Sequence, residues 1–312
     1  MSVEMRKAFG DTLAELMAAN DRIVVVDADL SKPNGTYPLR EKFPDRMFNV
    51  GVAEANMACF GAGMASYGFI PFITTFAPFA TRRICDQVTL SIAYAKQNVK
   101  IVGTDPGIVA ELNGGTHMGV DDIGIMRGMP DMVIFEPVDN AQLIQALPQI
   151  VDYDGPVYIR MFRKVTPDIF TDPDYKFDLF KADVLREGKD VTLFCSGIEV
   201  KAALEAAEIL HTQRIDAEVI NIHTIKPIDK EAVLNSIRKT GCAVTCENHS
   251  INNGLGSAVM EVASENHPVP VMRVGFADRF CEVGKLDYLC KALNITADDI
   301  VAKAKQAIGK KG

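Results

Sequence analysis

Along this chain, short β-branched apolar runs alternate with segments of helical period, and that alternation limits the fold more than any other feature. Apolar runs at 23–26, 47–50, 69–74, 99–103, 132–136 and 157–161 read as buried strands. Helical patterns occupy 5–19, 82–95, 122–128 and 141–151, and a run of small residues follows Glu54. In the first of these, Phe9, Leu13, Leu16 and Met17 share one face. This order predicts a largely parallel sheet with helices on both faces, because parallel strands need a crossover that packs back on the sheet. In such sheets ligands gather at the carboxyl ends of the strands. Glu54, Phe76, His117 and Arg163 each follow a strand, so they can converge on one rim.

The alternation restarts after a break. Residues 166–183 are rich in Asp, Pro, Lys and Phe, lack a clear period, and read as a packed linker. Strands at 191–195, 217–222, 242–246 and 269–274 then alternate with helices at 198–210, 230–239 and 256–264. The expected fold is α/β with two doubly wound domains, 1–165 and the smaller 186–312, joined by a linker at 166–185. A length of 312 residues suits two domains. In the second, Gly254-Leu255-Gly256 opens a helix, but Val259 stands where a dinucleotide fingerprint needs its third glycine. Tight packing of loop on helix is the better reading there.

Charge and cysteine usage narrow the class. A formal charge of -8 without a basic block argues against nucleic acid as partner. No charged-then-apolar leader and no run long enough to span a bilayer is evident, which gives a cytoplasmic expectation with no membrane partner. The seven cysteines are scattered in mostly apolar runs, so a disulfide framework is not expected. Cys242, Cys246 and His249 lie close together, but no second ligand pair follows at zinc-like spacing, and no metal ligand is assigned.

Chemistry concentrates in the first half. Phe48-Asn49-Val50-Gly51-Val52-Ala53-Glu54-Ala55-Asn56-Met57 sets a carboxylate at a helix start, among Ala53, Ala55, Ala58, Gly61, Ala62 and Gly63. Small residues let a helix sit close to its neighbour, and a carboxylate in dry surroundings is expected to titrate above its ordinary range. Pro71-Phe72-Ile73-Thr74-Thr75-Phe76-Ala77-Pro78-Phe79 reads as a strand entering an aromatic turn. Gly114-Gly115-Thr116-His117 forms a glycine-rich loop before Asp121-Asp122, an unusual place for a core histidine. With Gly155-Pro156-Val157-Tyr158-Ile159-Arg160-Met161-Phe162-Arg163, these stretches in this order resemble the transketolase family. More closely, they resemble the C-terminal section of a split transketolase, over essentially the whole chain.

The resemblance implies a thiamine-diphosphate pyrimidine-binding domain followed by a transketolase C-terminal domain. It implies Glu54 as the catalytic glutamate, bonded to the cofactor's pyrimidine, with Phe76 and Phe79 as the aromatic shelf and Asp29 as a further cofactor contact. His117 matches a histidine near the reacting carbonyl of the donor, and Arg6 and Arg163 match groups that hold a sugar phosphate. Four positions depart from the family pattern. Arg82 stands where a third aromatic is common, Thr104 where a phosphate-binding histidine is, and Pro33 near a common serine. Asn113 replaces an aspartate that contacts a sugar hydroxyl and joins Arg6, His117 and Arg163 as a substrate-binding candidate. The chain lacks the Gly-Asp-Gly pattern with a spaced Asn that holds the diphosphate and its magnesium or similar divalent ion. The resemblance therefore implies an N-terminal partner subunit that carries that site, a two-plus-two assembly, and transfer of a two-carbon ketol unit from a ketose phosphate to an aldose or aldose phosphate. Subunits resembling deoxyxylulose phosphate synthase or the beta chain of a 2-oxoacid dehydrogenase would keep the cofactor. A non-enzymatic nucleotide-binding module would use the second domain.

Overall fold

The computed structural model describes residues 3–311. The first half supplies β1 (Ile23–Asp27), β2 (Met47–Asn49), β3 (Ile70–Phe76), β4 (Lys100–Thr104), β5 (Val133–Phe135) and β6 (Val157–Met161). The second supplies β7 (Asp183–Arg186), β8 (Val191–Cys195), β9 (Ala217–Asn221), β10 (Thr224–Lys226), β11 (Ala243–Ser250) and β12 (Val271–Phe276). Two sheets result, ordered β10-β5-β6-β4-β3-β1-β2 and β12-β11-β8-β9-β7. All pairings are parallel except β10 with β5 and β7 with β9. The doubly wound α/β expectation holds for both halves.

Burial explains why these runs became strands. β1, β4, β6, β8 and β9 are buried at every residue, as strands covered on both faces must be. The helix Met5–Ala19 presses Met5, Phe9, Leu13 and Met17 into the first core, where Phe9 meets Phe72 at 6.4 Å between ring centroids. Each such buried side chain contributes ~1.5–3 kcal/mol relative to exposure. The helix Glu54–Ser66 lies so close to β3 that a Cβ on Gly61 would stand 2.7 Å from Ile73 Cγ2.

Several segments depart from the pattern's predictions. Residues 82–95 do not form one α-helix: a 3-10 turn at Arg82–Ile84 and one α-turn at Cys85–Gln87 lead into a π-helix at Val88–Tyr94. β-branched Val88, Thr89 and Ile92 crowd the turns, and the Thr89 hydroxyl donates to the Cys85 carbonyl at 2.7 Å. Residues 166–183, read from the sequence as a packed linker, do pack by their aromatics, with Phe177 against Phe135 at 5.5 Å. Gln149 donates to the Phe177 carbonyl and accepts from the Leu179 N–H. β7 lies at the end of this segment as an edge strand, and β10 crosses to complete the first sheet. The helices Leu286–Ala292 and Ala297–Ile308 close the second domain. The latter opens on a Thr296/Asp299 capping box, a signal readable in the sequence.

The halves meet through buried charge. Arg160 on β6 donates to Asp122 Oδ2 at 2.8 Å, to Glu136, and to the Asn248 carbonyl of β11 at 2.7 Å. Ser196, after β8, donates to Glu136 at 2.7 Å. Burial opposes ionisation of Asp122, yet the Arg160 guanidinium and further donors hold it below its ordinary range. Among the described residues no helix is long and apolar enough to cross a membrane.

Candidate active site

The carboxyl ends of β2, β3, β4 and β6 bring the sequence candidates to one rim. Gly51, at φ 74°, turns the chain after β2 and delivers Glu54 as the first residue of its helix. Glu54 is only 4% exposed, and its Oε1 accepts from Arg83 Nη1 at 2.8 Å. The carboxylate is thus buried and paired with a cation that the sequence reading did not name. The guanidinium carbon of Arg83 stands 3.9 Å from the centroid of the Phe79 ring.

From Phe79 the row continues. Phe76 ends β3, and Phe79 lies in the single turn Ala77–Ala80 that follows. Their centroids are 6.1 Å apart, and the His117 ring stands edge-on at 5.3 Å from Phe79 and 6.1 Å from Phe76. All three rings are half-buried. His117 Nδ1 shares a hydrogen bond with the Thr116 hydroxyl at 3.0 Å. Arg163, just beyond β6, places its guanidinium carbon 4.7 Å from the Phe76 centroid. Buried Asp105, directly after β4, accepts from Arg163 Nε at 2.6 Å and also from Nη2. The order Glu54, Arg83, Phe79, His117, Phe76, Arg163, Asp105 is therefore continuous.

Other candidates lie apart from this row. Arg6 is tied to Glu4 at 2.8 Å and to the Pro33 carbonyl at 3.5 Å. It meets Arg163 through the backbone, its N–H donating to the Arg163 carbonyl at 3.1 Å. Asp29 is exposed after β1, at φ 65°, and accepts from Asn49 at 3.1 Å. Asn113 is exposed at the end of a 3-10 segment, Gly107–Asn113. Thr104 is buried and donates to Asn34 at 2.8 Å. Arg82 turns away to Asp121 at 3.6 Å, so its neighbour Arg83 is the arginine of the row. A cavity of about 460 Å³ lies elsewhere, between the linker and the second domain, and includes no member of the row.

Sequence reasoning missed Arg83, Asp105 and Asp27. The Arg82-Arg83 doublet was visible, but which arginine faces the site depends on the 3-10 turn. Asp105 follows a buried strand, the place where this sheet type sets polar groups. Asp27 is buried at the end of β1, accepts from the Leu30 N–H at 2.7 Å and from the Thr74 hydroxyl at 3.0 Å, and burial pushes its carboxyl up.

Fold and rim together define a two-domain, doubly wound α/β protein with its polar–aromatic row at the strand ends of the first domain. The comparisons with known proteins give the family. The model for the transketolase pyrimidine-binding domain matches residues 1–168 and that for the transketolase C-terminal domain matches 180–300, so the chain belongs to the transketolase family. It is 52% identical to a 6-deoxy-6-sulfo-D-fructose transketolase subunit, SqwH, of Clostridium sp. (strain MSTE9), over 98% of this chain and 95% of that one. It is 36% identical to 1-deoxy-D-xylulose-5-phosphate synthase 1 of Geobacter sulfurreducens, over 97% of this chain and 48% of that one. A solved structure described as a split gene transketolase, inactive beta4 tetramer, superposes with a TM-score of 0.91 at 42% identity, over 100% of both chains. The chain is thus a split transketolase-type subunit of a thiamine-diphosphate enzyme family.

Proposed function

We propose that this chain, with a partner subunit, transfers a two-carbon ketol unit from a ketose bearing a terminal anion to an aldose or aldose phosphate. The partner would supply the sites for the diphosphate and a divalent ion. One observation carries the reading: a planar, N–H-bearing group already lies between Glu54 and Phe79. The Arg83 guanidinium makes there the two contacts that an aminopyrimidine requires, a hydrogen bond to a buried carboxylate and stacking on an aromatic face. The residues present therefore fit thiamine diphosphate, with Glu54, Phe79 and Phe76 holding its ring and Asp29 at the margin.

When bound, that cofactor supplies a carbon able to stabilise negative charge next to a cleaved bond. Glu54 holds a proton at its carboxyl oxygen against a ring nitrogen and returns it. His117, edge-on to both phenyl rings, moves a proton to and from a substrate oxygen. Phe76 and Phe79 fix the imidazole and exclude water from its flank. Arg163 keeps Nη1 free of the Asp105 pairing, and that nitrogen would face the terminal anion. A relative is named for 6-deoxy-6-sulfo-D-fructose, a sugar with a terminal sulfonate, which supports a donor with a terminal anion. Arg6 and Asn113 are proposed as outer contacts to the sugar.

A partner surface adjoins the row. Val52, two residues before Glu54, is 75% exposed, and Leu90 and Tyr94 on the π-helix packed against its helix are 55% and 84% exposed. Apolar side chains exposed beside a buried carboxylate suit coverage by another chain. The inactive beta4 assembly of the split-gene relative accords with that need. The test is a coupled assay of the purified chain with and without its partner, using ketose phosphate, ketose sulfonate and pyruvate as donors. Turnover of a ketose donor only in the two-chain mixture is expected. Turnover by the single chain, or of pyruvate alone, would refute the assignment.

A further inference from the structure

The same contact that supports the cofactor reading also conflicts with it. A ring that bonds Glu54 and stacks on Phe79 must lie between them, and the Arg83 guanidinium is already there, 2.8 Å from Glu54 Oε1 and 3.9 Å from the Phe79 centroid. Both groups cannot share that space. Glu54 is buried, so in the cofactor-free chain its carboxylate needs a partner. Arg83 is half-exposed and anchored by nothing else among the described residues, so it can swing outward into water. The segment that carries it is anchored by fully buried Ile84, Val88 and Ile92, so the displacement is a swing of the side chain alone.

We propose that Arg83 is a built-in stand-in for the cofactor's pyrimidine: it occupies the ring site of the cofactor-free chain and must be displaced for the ring to enter. The inference rests on the Glu54–Phe79 ring site given above. Arg83 thereby sets cofactor affinity, and it keeps Glu54 and Phe79 in place until the cofactor arrives. A guanidinium suits this task because it is flat, stacks on rings and always carries N–H donors.

The test is calorimetric titration of thiamine diphosphate, with magnesium, into the two-chain complex of wild type, Arg83→Ala and Arg83→Met. Removing a competitor worth one stacking contact and one half-exposed ion pair should tighten Kd by about 5- to 30-fold in both variants. Free guanidinium at millimolar concentration should weaken binding to Arg83→Ala, refilling the vacated site, and should leave wild type nearly unchanged. The cofactor-free Arg83→Ala chain should also melt earlier than wild type, because Glu54 loses its cation. Unchanged cofactor binding in both variants would overturn the proposal, and weaker binding would overturn it by making Arg83 a direct contact of the cofactor. Absence of binding in wild type and variants alike would instead overturn the ring site itself, and the proposal with it.

Discussion

At the scale of single residues, Glu54 is the side chain whose loss should separate binding from turnover. Glu54→Gln keeps size and a hydrogen-bonding amide but cannot exchange a proton with a ring nitrogen. We expect assembly and cofactor binding to persist while kcat falls at least about 100-fold, or ~2.7 kcal/mol of barrier. A steady-state assay beside calorimetry checks this, and near-normal kcat would make Glu54 a helix-end carboxylate only. Arg163 pairs with buried Asp105, and it is also the group proposed to hold the donor's anion. Arg163→Ala strands the buried Asp105 carboxylate and should cost ~3–5 kcal/mol of stability by urea denaturation. The double variant Arg163→Ala/Asp105→Ala should recover most of that loss while anionic donors remain poorly bound. That Glu54, Phe79 and His117 gather at one rim was legible because each sits in a short motif within the segment that follows a strand. Arg83 and Asp105 were not, because their meaning lies in partners 29 and 58 residues away.

At the scale of elements, the loop from β4 to His117 is held from outside its own domain. Asn248 of β11 accepts from the Ile108 N–H at 3.0 Å and donates to the Pro106 carbonyl at 3.0 Å. Gly107, at φ 58°, lies so close to Asn248 that any side chain there would overlap it. Glu111 accepts from the Leu286 N–H at 3.1 Å, a second tether from the C-terminal half. Asn248→Ala should therefore release the His117 loop, with kcat reduced about 10- to 100-fold and cofactor affinity little changed, by the same assay and calorimetry. Asn248→Asp can make both bonds only when protonated, so its activity relative to wild type should rise as pH falls. The long periodic elements were readable from the pattern, whereas β7 and β10 were too short to carry a period. The π-helix at Val88–Tyr94 looked like any apolar helix, because its wider turn is decided by β-branched crowding.

At the scale of the whole molecule, buried acids between the layers make stability depend on pH. Burial, with Glu136 and Asp299 nearby, pushes Glu199 from 4.5 up to about 8, and burial likewise pushes Glu247 up to about 7. The folded chain keeps protons there that the unfolded chain releases. This stabilisation is complete below about 4.5 and is lost as pH rises towards 7 and 8. Its slope is at most ~1.4 kcal/mol per pH unit for each group. Glu199→Gln should flatten the decline between pH 5 and 8 in urea titrations, and an unchanged slope would show that Glu199 ionises without cost. The two-domain division was plain from the restart of the alternation, but the crossing of β10 was not, since three residues carry no sign of which sheet they will join.

That crossing bears on how the protein is made. The first sheet closes its β5 edge only with Thr224–Lys226, a strand synthesised after the whole linker and three strands of the next sheet, β7, β8 and β9. On the ribosome, the nascent first domain therefore waits with Val133–Phe135 unpaired on one side until residue 226 has emerged. An open apolar edge is a template for a second chain. A fragment ending at 168 should aggregate through it, whereas one extended beyond 226 should have that edge closed.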